Sequence, residues 1–102
     1  MRINRADPLE AFIDESLRQF AARHYSPKEF IRMRAQYGTV TTIEKLVKSG
    51  EIQSGFYRLQ QLHLLERSME AAVQQFPDRF TKDAIQCAQW RLDNAADQTL
   101  RT

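Results

Sequence analysis

Two helix-start signals, and the apolar stripes that run behind them, constrain this chain more than any other feature. Asp7-Pro8-Leu9-Glu10 sets a side-chain acceptor, a proline at the first helical position and a Glu three residues after the acceptor. Such a group satisfies the orphan amides of a helix N-terminus. A helix is predicted from Pro8 to about His24, with Leu9, Phe12, Ile13, Leu17, Phe20 and Ala21 on one stripe. Ser26-Pro27-Lys28-Glu29 repeats the device and predicts a second helix capped by Ser26. Phe30, Met33 and Tyr37 share its inner face, and Gly38 is its left-handed stop.

Thr39 or Thr41 caps a third, short helix with Val40, Ile43, Leu46 and Val47 inward, a Glu44-to-Lys48 pair on its surface and Gly50 at its end. From Ser54-Gly55 the stripe Leu59, Leu62, Leu65, Met69, Ala72 and Phe76 continues to Pro77, and this spacing permits one helix of about twenty residues. Thr81 caps the last helix, with Ile85, Ala88, Leu92 and Ala95 inward. No segment alternates with a period of two, and no Asn-Gly or Asp-Gly hairpin signal occurs. The predicted fold is all-α: a single compact bundle of five or six short helices. It forms one domain over residues 1–102, frayed at 1–6 and 98–102.

Composition agrees. A chain of 102 residues with 42% apolar and 27% charged side chains has material for one globular core. No apolar run approaches the ~20 residues of a membrane span, and Met1-Arg2-Ile3-Asn4-Arg5 is not followed by the apolar stretch of a secretory signal. One cysteine allows no internal disulfide, which suits a reducing compartment, so a cytoplasmic location is expected. The net charge of +2 is too weak to announce a nucleic-acid or membrane partner. Seven basic residues face two acidic ones between residues 16 and 50, a local +5, most simply a set of solvated helix faces.

From Tyr25 onward the sequence resembles a widespread family of small bacterial helical domains of unknown function, over about residues 24–94. The resemblance is carried by Tyr25 with Phe30, Gly38 before a Val-containing helix, Lys45-Leu46, Ser54-Gly55-Phe56 with Leu59, then Leu65, Glu70-Ala71, Phe80-Thr81, Ala88 and Leu92. These are packing and capping positions, so the resemblance implies a fold and carries no catalytic residue. Two positions depart from it: Gln60 stands where the family has an aromatic residue, and His63 where it has a glycine turn.

The chemistry-bearing side chains are few. His24, His63 and Cys87 are nowhere spaced at i, i+3 or i, i+4, so no local metal site or thiol–imidazole pair is predicted. Glu66 and Glu70 share a helical face, where Arg67 or His63 could bridge them as a structural charge cluster. No phosphate loop or serine elbow occurs. The expectation is a non-enzymatic protein with no cofactor and no metal.

Three large apolar residues fall off the stripes: Tyr57, Leu64 and Trp90. Trp90 lies nearly opposite Ile85 on the last helix, so either a second layer covers it or a partner does. Tyr57 and Leu64 face outward if residues 55–76 form one helix and return to the core if the chain kinks near His63. Off-stripe aromatics suit a surface that docks another protein or a second copy of the chain. An inhibitor, immunity or adaptor role of bacterial or phage origin fits such a chain. The alternative is nucleic-acid binding: residues 40–62 loosely follow a helix-turn-helix, with Arg32, Arg34, Lys45, Lys48 and Arg58 as its contacts, the first four of them off every inward stripe.

Overall fold

A computed structural model describes residues 7–101, with side chains through Ala95. The six α-helices in it are α1 (Pro8–Ala22), α2 (Lys28–Tyr37), α3 (Thr39–Val47), α4 (Ser54–Gln61), α5 (Met69–Gln75) and α6 (Lys82–Arg101). Single 3-10 turns lie at Leu65–Arg67 and Pro77–Arg79, and the described residues contain no strand. The fold is the all-α bundle that the stripes predict. Of the chain ends, residues 1–6 and Thr102 lie outside the described residues, and the backbone of 98–101 continues α6.

The main core is built from one face each of four helices. Leu9, Phe12 and Ile13 of α1 meet Ile43 and Val47 of α3, Ala72 and Val73 of α5, and Ala84 and Ala88 of α6. The alanines let α5 and α6 approach closely, while each large residue contributes roughly 1.5–3 kcal/mol by leaving water. A second cluster, Phe20, Leu59 and Leu64, lies beyond Leu17, which packs against both. It joins the far end of α1 to α4 and to the chain that follows α4.

Two helix starts follow the sequence. The Asp7 carboxylate accepts the Leu9 amide at 2.8 Å, and the Thr81 hydroxyl accepts the Ala84 amide at 3.2 Å. Two do not. Pro27 stands at the start of α2 and no side chain caps it, so Ser26 is not the cap. Gly38 precedes α3, and Thr39, the first residue of that helix, gives its side chain to Arg34 and Glu10 instead. Gly38 has φ 87, a conformation that side chains resist, and it turns the chain directly from α2 into α3.

The stretch from 54 to 76 is two helices, not one. His63 has φ 59 at the break, although a histidine there leaves a continuous helix sterically possible. Its amide donates to the Gln60 carbonyl, and the Leu64 amide donates to the Leu59 carbonyl at 2.9 Å, the paired bonds of a Schellman ending. The period of the stripe survives the break because the 3-10 turn at Leu65–Arg67 and the Ser68 cap on Ala71 restart a helix with its apolar face still inward. That is why spacing alone could not reveal the break.

Candidate functional site

Two buried polar assemblies and one at the surface hold the helices. Arg34, only 5% exposed, bonds Asp14 at 2.9 Å, Glu10 at 2.8 Å and the Thr39 hydroxyl at 2.9 Å, tying α1, α2 and α3 together. Arg91, 3% exposed, donates to Glu70 at 2.9 Å, to the Gln53 side chain at 2.8 Å, and to the carbonyls of Leu46 and Glu51 at 3.0 and 2.9 Å. It therefore satisfies an orphan carbonyl at the end of α3 and fixes the segment between α3 and α4. Burial pushes the Glu70 carboxyl above the usual carboxylate range, and the Arg91 guanidinium pulls it back part of the way. Glu44, in turn, accepts both the Thr81 amide at 2.7 Å and the Thr81 hydroxyl at 2.9 Å, so the start of α6 is held from α3.

These assemblies correct the expectations about charge. Arg34 is a structural hub and cannot offer its guanidinium to a nucleic acid. Glu70 belongs with Arg91 and not with Glu66, which is exposed, because the chain leaves the helical path between His63 and Ser68. Of the other basic candidates, Lys48 pairs with Glu44 at 3.2 Å, Lys45 lies 5.2 Å from the centre of the Tyr37 ring, and Arg32 is 3.9 Å from Glu29. Arg58 is exposed, and among the described residues its side chain reaches only Gln61, at 3.4 Å. The presumed helix-turn-helix also divides: α3 packs in the main core and α4 in the second cluster.

The three off-stripe residues separate as well. Leu64 is buried in the second cluster, returned there by the break at His63, and is removed from any surface. Tyr57 remains 43% exposed, with its ring edge-on to Phe56. Trp90 is 58% exposed, the most exposed large apolar side chain among the described residues. The elements that carry these two are neighbours, since Gln53, just before α4, bonds Arg91, and Gln60 of α4 donates to the Ala95 carbonyl at 3.3 Å.

A cleft of about 670 Å³ opens between α1, the start of α2, α4 and α5. Leu17, Phe20, Phe30, Phe56 and Leu59 give it apolar walls, and Tyr57 and Arg58 also line it. Tyr25 crosses one side: its hydroxyl packs so closely on Gly55 that a Cβ there would collide with it. Arg67 lines the cleft too. Its Nη2 donates to the Phe12 carbonyl at 2.6 Å, its Nε to the Ser16 hydroxyl at 3.1 Å, and its guanidinium lies 3.9 Å from the centre of the Phe12 ring. Spacing could not announce this cleft, because its walls come from residues that read as ordinary core stripe.

Among the described residues no three of His, Cys, Asp or Glu come together as a metal site, and no helix is long and apolar enough to cross a membrane. Comparison with known proteins finds no matching family model, no matching curated protein and no matching solved structure.

Proposed function

We propose that this chain is a non-enzymatic docking module that binds another protein, or a second copy of itself, through the outer flank of α6 at Trp90 together with Tyr57 on the neighbouring α4. The observation that carries this reading is the exposure of Trp90: an indole left 58% open to water on a helix whose other side is committed to the core. Aromatic anchors of this kind dominate the energetics of protein interfaces. An inhibitor, immunity or adaptor role in a bacterial or phage-infected cytoplasm suits a small module without a catalytic set. Membership of the small bacterial helical family is part of the same proposal. It is supported by the left-handed His63, at the position of the family's glycine turn, and by the packing of Tyr25 on Gly55.

The test is association of the parent and of Trp90→Ala, by light scattering for self-association and by pull-down from the native host. The docking reading expects one retained partner, or a dimer, that is lost in the variant while its melting is unchanged. Equal retention by both chains contradicts it. The basic residues offer no observation that favours the nucleic-acid reading, and a gel shift at low salt that depends on Arg58 and Lys48 would reinstate it.

A further inference from the structure

The cleft between the two clusters has a feature that an ordinary packing defect lacks. Its volume, about 670 Å³, falls within the range of ligand sites, its walls are largely apolar, and the one half-buried cation in them has no counter-ion among the described residues. Arg67 is half-buried, and no carboxylate pairs with it among the described residues. The two buried arginines contrast with it: Arg34 meets two carboxylates and Arg91 meets one. Glu15, whose carboxyl feels the Arg67 charge, is bonded to Arg18 and Gln19. A half-buried guanidinium beside an apolar cleft, with Nε and Nη2 committed to protein oxygens and Nη1 bonded to no described residue, is matched by an acceptor carrying one negative charge.

The rest of the lining narrows the class. Lys28 and Arg58 add positive charge where they line the cleft and Glu29 offsets one of them, so with Arg67 and Glu70 the lining keeps a net charge of +1, which favours entry of an anion. Glu70 also lines it and is held by Arg91, so a second negative charge on the ligand would face a carboxylate. Phe20, Phe56, Leu17 and Leu59 call for an extended apolar body.

We propose that this cleft binds a small amphipathic monocarboxylate, an aliphatic chain with one terminal carboxylate, with Arg67 meeting the carboxylate and the apolar walls taking the chain. The cleft meets the proposed docking surface at Tyr57, which lines it, whereas Trp90 does not.

Dodecanoate and dodecanol, titrated separately into the intact protein below their aggregation limits, test this by calorimetry and by amide shifts. The expected result is saturable 1:1 binding of dodecanoate that shifts the amides of Leu17, Tyr25, Gly55 and Leu59 and spares Trp90. Dodecanol binds at least tenfold more weakly. In Arg67→Met the carboxylate loses at least tenfold in affinity and the alcohol is unchanged. Should that variant fail to fold, the acid-to-alcohol ratio on the parent chain still decides. Equal affinity for acid and alcohol, or no saturable binding of dodecanoate, overturns the proposal. So does a dimer closed over the cleft that dodecanoate does not dissociate, or an acidic amphipathic peptide that binds the same amides more tightly than dodecanoate.

Discussion

His24 and His63 end two different helices in the same way. Each has a left-handed backbone, φ 61 and φ 59, and each delivers the next residue onto the apolar side chain five positions before it. The Tyr25 amide donates to the Phe20 carbonyl and the Leu64 amide to the Leu59 carbonyl, both at 2.9 Å, and the Phe20 and Tyr25 rings meet at 5.7 Å. The second cluster is therefore assembled from the hydrophobic contacts of two Schellman endings.

A non-glycine residue in this conformation costs roughly 1–2 kcal/mol, and glycine returns part of that gain through its freer unfolded chain. His63→Gly is expected to raise stability by about 0.5–1 kcal/mol in urea unfolding. His63→Val, branched at Cβ, is expected to lower it. A destabilised glycine variant would mean that the histidine side chain holds the turn.

Arg32 and Arg34 differ by two positions and by their whole environment. Arg34→Glu sets a fourth acceptor group among Glu10, Asp14 and Thr39 and is expected to cost at least about 3 kcal/mol, as for a broken buried pair. Arg32→Glu, at a surface position, is expected to stay within about 0.5 kcal/mol of the parent. Thermal melts of the two variants check both values, and similar melts would deny the hub at Arg34.

The Thr42 hydroxyl is buried without a hydrogen-bond partner among the described residues. Thr42→Val keeps the shape and removes the unpaired group, so stability is expected to rise by about 1 kcal/mol. A loss of stability in denaturant titration would show that the hydroxyl is satisfied.

Burial raises the Glu44 carboxyl, but the Thr81 amide and hydroxyl, with Lys48, outweigh it and hold the group below its ordinary value. A carboxylate with a lowered folded pKa adds stability above the ordinary carboxylate range and loses it as pH falls through the folded value. Glu44→Gln is expected to be less stable at neutral pH and to show a shallower acid slope below about pH 4.5. An unchanged slope would remove the link between Glu44 and Thr81.

The all-α class and the caps at Asp7 and Thr81 were legible in the sequence because caps and stripes are local. Asp7 and Thr81 each bond an amide two or three residues away. What stayed hidden is non-local. Arg34 meets Glu10 across 24 residues and Arg91 meets Leu46 across 45, and neither spacing marks an arginine as buried. Glu44 reads as half of a pair with Lys48 and also braces α6 across 37 residues. The break at His63 stayed an open alternative for another reason: the strongest sign of a left-handed stop is glycine, and a histidine carries it here. With the break, Leu64 returns to the core and leaves the candidate docking residues, whereas Tyr57 stays exposed despite the break and Trp90, placed by helical angle, lies exposed as well.

The docking account rests on Trp90 being outside the core, and it is the only tryptophan in the chain. Iodide quenching of its fluorescence, with the mass in solution measured on the same samples at low and high concentration, reads this directly. The account predicts ready quenching in the monomer, protection only when a partner or second copy is bound, and a Trp90→Ala variant that melts within about 0.5 kcal/mol of the parent. An indole shielded from iodide in the monomer, with Trp90→Ala costing about 3–5 kcal/mol, would contradict it.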